Sequence, residues 1–189
     1  LDTKGSRADL AAQRALTRES QTGVAGSFSY NNENYAILGE IIAQVSGAPY
    51  RETCADRVFE PAGVARAQVS ARVGSTLPWG GWEMPVEDFA RIVEWAYGPK
   101  GIIAAEAAKW PAQPLNEHIS YGMGMFQRSN GAGYNFWHFG SYCFPLRMSV
   151  GAYAVGWGNG WSVVAAYNVC PTWPEMTKLD QMLVEAVFQ

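Results

Sequence analysis

Charge of either sign is scarce in this sequence. Only 16% of its 189 residues are charged, and its 14 lysines and arginines form no cluster. Proteins that bind nucleic acids neutralise phosphates with grouped basic side chains, which a chain of net charge −3 without a basic run does not provide. No apolar stretch approaches the roughly 20 residues that a membrane-spanning helix requires. The sequence therefore predicts neither a nucleic-acid partner nor a membrane span.

Cysteine is also rare. Cys54, Cys143 and Cys170 are too few and too scattered for a zinc site or a disulfide framework. The simplest interpretation is that they serve as small buried hydrophobic residues, and the alternative is one disulfide with a leftover thiol in an oxidising compartment. The sequence does not determine which two would pair. Cys143 follows His138 closely, but nothing else favours a catalytic thiol.

Apolar and aromatic residues are plentiful, at 48% and 13% of the sequence, and they suffice for a packed core. The pattern predicts an α+β fold, with a mainly helical part over residues 1–115 and antiparallel strands with a C-terminal helix over residues 116–189. Strands are predicted over Ser149–Trp157 and Trp161–Tyr167, joined by a Gly158-Asn159-Gly160 turn. Helices are predicted over Arg7–Arg18, the stretch between Asn32 and Gly47, Tyr50–Val58, Val86–Tyr97 and Glu175–Phe188.

The clearest of these helices lies between Asn32 and Gly47. Asn32 is well placed as its N-cap, because asparagine side chains accept hydrogen bonds from the first free N–H groups of a helix. Gly47 is a suitable C-terminal stop, because glycine readily adopts the left-handed conformation in which many helices end. Four apolar residues recur at helical spacing and predict one apolar face: Leu38, Ile41, Ile42 and Val45.

Several landmarks along the chain resemble those of one enzyme family. The first is Tyr30-Asn31-Asn32, a Tyr-x-Asn segment directly before a helix. In chain order the others are Val45–Tyr50 with Val58–Val64, Gly80-Gly81 ahead of Glu87–Arg91, Tyr121–Gly124 and His138-Phe139-Gly140. Together they are similar to the penicillin-recognising serine hydrolases, the family of class C β-lactamases, D,D-peptidases and related esterases. The resemblance extends over about residues 20 to 189.

The resemblance implies a β-lactamase/transpeptidase-like fold with its active site in a crevice between a helical and a sheet part. Tyr30 would be the catalytic acid/base, and Asn32 would bind the substrate amide unless capping the helix occupies its side chain. His138 would orient substrate, and Gly140 would let the strand backbone approach the ligand. Class C β-lactamases usually have lysine where His138 stands, which argues against a dedicated β-lactamase. A histidine between aromatic residues is otherwise often a core residue.

The family nucleophile is a serine in a Ser-x-x-Lys motif, whose lysine shares the proton traffic of the serine. This motif is absent from the sequence. We therefore expect the chain to be the C-terminal portion of such a hydrolase, with the N-terminal part of the fold cleaved off, omitted or encoded elsewhere, and to be inactive alone. The four lysines, Lys4, Lys100, Lys109 and Lys178, follow Leu1, Tyr97, Glu106 and Glu175 at the required spacing.

Further expectations follow from the missing motif and the resemblance. The chain is either part of an acyl-transfer enzyme or a catalytically inactive relative that binds ligands. A second chain that supplies the N-terminal part is a third arrangement. The resemblance implies a small ester, amide or peptide as substrate, no metal or organic cofactor, and a periplasmic or secreted location.

Overall fold

The computed structural model describes residues 8–18, 24, 26–107, 109–129, 134–144 and 148–188. The chain forms two compact units, Leu1–Ile92 and Val93–Gln189, which we call unit one and unit two. No helix in the described ranges is both long enough and apolar enough to cross a bilayer. The division at residues 115 and 116, which rests on the change in composition along the chain, stays a prediction.

Unit one is built mainly from helices, with a small two-stranded antiparallel sheet. The predicted helices lie where expected, although Arg7 is outside the described residues, and the helix after Tyr50 passes into a π-helical turn, Ala55–Phe59. A 3₁₀ turn covers Gly74–Thr76. The other elements are α1 Ala8–Thr17, α2 Glu33–Ser46, α3 Tyr50–Cys54, β1 Gln68–Val69, β2 Trp82–Glu83 and α4 Val86–Tyr97, the last of which ends in unit two.

Small residues set the packing of α2. Ala36 is fully buried against Ala8 and Ala12 of α1, which lets the two helices approach closely. Gly39 is buried and packs closely against Pro78. A Cβ at this position would lie 2.5 Å from the Pro78 ring, so only glycine fits without a shift. The predicted apolar face is therefore not the buried one, and the exposed fractions of its side chains are 50% for Leu38, 50% for Ile41, 39% for Ile42 and 83% for Val45.

Unit two is an antiparallel sheet covered on one face by a C-terminal helix. Its strands follow the chain order, so each pairs with its sequence neighbour. The strands are β3 Gln113–Pro114, β4 Ser120–Gly122, β5 Met125–Ser129, β6 Tyr134–Phe144, β7 Met148–Gly156 and β8 Ser162–Tyr167. The helices are the short α5 Ile102–Ala107 and α6 Trp173–Val187. Tyr153, Val155, Trp157 and Met176 form the buried centre between sheet and α6.

The Tyr121–Gly124 landmark is a tight hairpin between β4 and β5. Met123 and Gly124 both have positive φ, at 54° and 80°, which is the requirement of a two-residue type I′ turn. The Gln127 side-chain amide donates a hydrogen bond of 2.7 Å to the Gly122 carbonyl, and the Tyr97 hydroxyl donates one of 2.9 Å to the Met123 carbonyl. The left-handed methionine is thus held by two side chains.

One disulfide joins Cys143 on β6 to Cys170, which follows β8, with their Cα atoms 5.7 Å apart. The interpretation of the cysteines as small buried residues is wrong for this pair, because both are exposed and bonded. The two antiparallel hairpins β6–β7 and β7–β8 bring them together, a pairing that sequence spacing does not reveal. The disulfide also rules out Cys143 as a catalytic thiol, and Cys54 is the free cysteine.

Candidate active site

Tyr30 lies in the segment that leads into α2 and remains accessible. Its side chain is 46% exposed, and its ring lies 6.5 Å from the ring of Tyr35 in the first turn of the helix. The chain before it, Gly26–Ser29, is also exposed. The phenol therefore stands at the surface of unit one, where a ligand can reach it.

Asn31, and not Asn32, caps α2. The Asn31 side-chain oxygen accepts a 2.8 Å hydrogen bond from the Glu33 N–H, and its amide donates to the Glu33 carboxylate. The pKa of Glu33 is held below its ordinary value, mainly by the Arg18 guanidinium that donates to it and then by Asn31. Asn31, Glu33 and Arg18 thus fix the start of the helix.

The expected competition for the Asn32 side chain is therefore absent. Asn32 occupies the N-cap position, but its side chain makes no capping hydrogen bond. Its backbone is already in the helical region, at φ −69° and ψ −18°, whereas a capping residue usually adopts an extended conformation that turns its side chain back to the free N–H groups. Asn32 is exposed next to Tyr30, so its amide is available for a ligand.

His138 lies on β6 opposite Ala154 of β7 and is half-buried among aromatic rings. Its ring centre is 6.2 Å from that of Tyr121 and 5.6 Å from that of Phe126. Burial lowers the pKa of His138 below the ordinary value of 6.5, and a hydrogen bond with the Phe139 backbone partly opposes this. The imidazole is therefore neutral at neutral pH and can both donate and accept hydrogen bonds.

Gly140 is exposed two residues further along β6. In the described part of the protein, no atom lies within 4 Å of the point where a Cβ would stand. Its carbonyl accepts a hydrogen bond of 3.0 Å from the Tyr167 hydroxyl, which also lies 3.2 Å from the Ser141 hydroxyl. The strand is thus open on the side where a Gly140 side chain would stand, and the Gly140 carbonyl is anchored by Tyr167.

Tyr167 is a residue of this strand pair that the sequence reasoning missed. It lies opposite Gly151 in the register of β7 and β8, and a Cβ at Gly151 would be 2.2 Å from its ring. Burial raises the pKa of Tyr167, so its hydroxyl stays protonated as a donor to Gly140. The signal in the sequence is a glycine facing an aromatic residue across a hairpin, which becomes visible only when the register is known.

The structure thus places the predicted site residues in two groups. Tyr30 and Asn32 belong to the tyrosine segment, Tyr30–Asn32, in unit one. His138 and Gly140 belong to the histidine strand, His138–Gly140, in unit two. Each group is brought together by local structure, one by a helix start and the other by the alternation of a single strand.

A family model described as Beta-lactamase matches residues 5–168, which includes the tyrosine segment and the histidine strand. The chain belongs to the beta-lactamase family. The match covers most of the chain and ends just after β8, so it includes every strand of the sheet. Within this beta-lactamase-family chain, Tyr30, Asn32, His138 and Gly140 remain candidate site residues.

Comparison with solved structures also identifies a β-lactamase/transpeptidase-like fold. The chain is similar to a D-stereospecific amidohydrolase from Streptomyces sp., with a TM-score of 0.66 and 15% sequence identity over 88% of this chain. At this identity the likeness shows the fold, which is the β-lactamase/transpeptidase-like combination of helices and antiparallel sheet. The chain spans 58% of the length of that structure.

A shorter likeness connects this beta-lactamase-family chain to PbpX of Bacillus subtilis (strain 168), which is named as a penicillin-binding protein. The two are 43% identical over 42 residues, which is 22% of this chain and 11% of PbpX. The matched segment is therefore a small part of PbpX, and the chain spans little more than half of the amidohydrolase.

Proposed function

We propose that the chain is the C-terminal portion of a beta-lactamase-related serine hydrolase that acts through an acyl-enzyme. The full reaction would be attack by a serine on an ester or amide carbonyl, release of the leaving group, and hydrolysis of the acyl-enzyme by water. The nucleophile lies outside these residues, because the sequence has no Ser-x-x-Lys. A small ester, amide or D-peptide is the substrate class.

One observation carries this proposal. Asn31 satisfies the first N–H of α2, and this leaves Tyr30 and Asn32 exposed together on the same turn. Because Asn31 supplies the capping hydrogen bond, the Asn32 side chain is not used to cap the helix and can contact a ligand. The family match adds that this turn stands in a chain of the hydrolase type.

Tyr30 would relay a proton between the serine and the leaving group. A phenol with an ordinary pKa of about 10 is a poor base at neutral pH, so it requires a nearby cation. The lysine of the missing motif would provide this charge. Tyr30 therefore has a role only in the presence of the segment that carries the nucleophile.

Asn32 and the histidine strand would position the substrate. The Asn32 amide would hydrogen-bond the acyl amide, and the neutral His138 imidazole would accept or donate a hydrogen bond to the substrate. At Gly140, the absence of a side chain would allow the backbone to approach the ligand. These groups act by orienting the carbonyl for attack.

Labelling with a fluorophosphonate tests the proposal. We expect no labelling of the 189-residue chain and labelling of a version extended upstream to include Ser-x-x-Lys. In the extended version Tyr30→Phe should slow labelling by about 10²-fold or more, as loss of a general acid/base does. Tyr134→Phe, an exposed tyrosine at the start of β6, is the matched control. Labelling of the chain on one of its own serines contradicts the proposal.

The second candidate is a catalytically inactive relative that binds acyl or peptide ligands. The missing Ser-x-x-Lys motivates it as well. Translation of the reading frame upstream of Leu1 distinguishes the two. A Ser-x-x-Lys within the preceding segment supports the hydrolase, and a start codon close to Leu1 supports the ligand-binding relative.

A second chain that supplies the missing part is supported by the exposed apolar face of α2. Four apolar side chains on one helix form a surface that contact with another protein segment would bury. The mass of the native particle tests this arrangement, since a monomer excludes it.

A further inference from the structure

A cavity of about 260 Å³ lies between the sheet and α6, within unit two. None of the four candidate site residues lines it. Its walls come from β5, β6, β7 and α6 and from the residues that follow β7 and α6. The residues that matter here are Arg128, Asn135, Trp137, Trp157, Asp180 and Phe188.

The cavity contains one positive and one negative side chain on different walls. Arg128 belongs to β5, and Asp180 belongs to α6. Within the described ranges, no ion pair of 4.0 Å or less joins these two charges. Opposite charges that share a cavity without pairing are suited to a ligand that carries both charges itself.

The Asp180 carboxylate is held in place by a hydrogen bond from the core of unit two. The Tyr153 hydroxyl donates a hydrogen bond to the Asp180 carboxylate, and the Tyr153 side chain is buried in the core of unit two. Burial, and then the Asp180 carboxylate, raise the pKa of Tyr153, so this donor keeps its proton. A fixed carboxylate loses little conformational freedom when it binds a cation.

The rest of the wall is largely aromatic. Trp157 is buried, and its ring meets the Phe188 ring edge to face at 5.6 Å. Trp137 forms a further aromatic wall, and Asn135 is braced by accepting a 3.0 Å hydrogen bond from the Gly158 N–H. The part of the wall outside the two charges is therefore mainly aromatic.

We propose that this cavity binds a free amino acid with an apolar side chain. Its carboxylate would pair with Arg128, its ammonium with Asp180, and its side chain would contact the aromatic wall. A purely apolar ligand would desolvate both charges without compensation, and an anion would meet Asp180. The volume lies just below the usual 300–1,000 Å³ of ligand pockets, which suits a single amino acid better than a peptide.

Isothermal titration with leucine tests the charge requirement. We use L-leucine and D-leucine as probes, with 3-methylbutylamine and 4-methylpentanoate as analogues that each lack one charge. At least one leucine enantiomer should bind about tenfold or more tightly than either analogue, because each analogue loses one charge-assisted hydrogen bond. Failure of both enantiomers to bind, or equal binding of an analogue, overturns the proposal.

Two substitutions test the location. Arg128→Gln and Asp180→Asn should each weaken leucine binding by about tenfold or more, and asparagine can still accept the Tyr153 hydrogen bond. Lys178→Gln on α6 and Glu117→Gln before β4 are exposed matched controls that should leave binding unchanged. Circular dichroism confirms folding of each variant. Unchanged binding by both folded cavity variants would place the ligand elsewhere and overturn the assignment. The readout is binding alone, so it stands or falls independently of the hydrolase proposal.

Discussion

The two units bury very different side chains. In unit two the largest fully buried side chains are Tyr153 and Phe136, and a helix covers one face of the sheet. In the described part of unit one, the largest side chain buried to this degree is the polar Asp88, which Arg66 and Arg91 contact, and the α1–α2 contact is made by alanines. Unit two therefore has a core of large apolar side chains, whereas unit one leaves apolar surface on α2 uncovered.

The largest expected effect tests this difference directly. Phe136→Ala should lower the free energy of unfolding by about 3–5 kcal/mol, because the phenylalanine is 1% exposed and leaves a cavity. Ile41→Ala on α2 should change it by no more than about 0.5 kcal/mol, because half of this side chain is already in water. Urea unfolding measures both. If Ile41→Ala lowered the free energy of unfolding nearly as much as Phe136→Ala, another protein segment would cover α2 in solution.

Removal of the disulfide should affect unit two next most strongly. The Cys143→Ser, Cys170→Ser double variant should lose roughly 3 kcal/mol, since the bond closes a loop with a sequence separation of 27 residues. A reducing agent should have the same effect on the wild type in thermal unfolding. The Cys54→Ser variant is the control and should keep the sensitivity to reductant, because Cys54 is not bonded. A wild type unaffected by reductant would contradict the assignment.

Acidification should also destabilise unit two through His138. Burial lowers the pKa of His138 in the folded state, so folding favours the neutral imidazole. The resulting stability is fully present above the unfolded pKa of about 6.5 and is lost as the pH falls through the folded value. Unfolding measured between neutral and acid pH should therefore show a steeper loss for the wild type than for His138→Gln. Identical pH profiles would show that His138 is solvated.

The smallest expected effect concerns the β4–β5 hairpin. Met123→Gly should stabilise the protein by up to about 1 kcal/mol, because glycine adopts the observed φ of 54° without steric cost. Met123→Ala, which keeps the cost, is the control. Thermal unfolding measures the change, and a destabilised Met123→Gly would mean that packing of the methionine outweighs its backbone strain.

The bounds of a helix were predictable where proline or glycine flanks it, because these residues begin or end helices through their own backbone geometry. Val86–Tyr97 lies between Pro85 and Gly98-Pro99 and was predicted without error. The last helix begins at Trp173 and not at Glu175, because Thr172 and Glu175 form a capping box that the sequence reasoning did not use. Local sequence is sufficient for such features because the partners are only a few residues apart.

Three features required the tertiary structure. Which face of α2 is buried depends on Pro78 and on α1, and hydrophobic spacing alone indicates the opposite face. The assignment of the cap to Asn31 depends on one ψ angle at Asn32. For the candidate site, the motif order indicated Tyr30, Asn32, His138 and Gly140, while the contact of Tyr167 with the histidine strand depends on sheet register.

The disulfide changes what a protease can release from this protein. The exposed Gly158–Gly160 turn lies between the two bonded cysteines, so a cut there divides the backbone but not the molecule. The fragment with β8 and α6 would stay covalently attached to β6 and would separate only after reduction. A nicked protein would therefore run as one species on a non-reducing gel and as two after reduction.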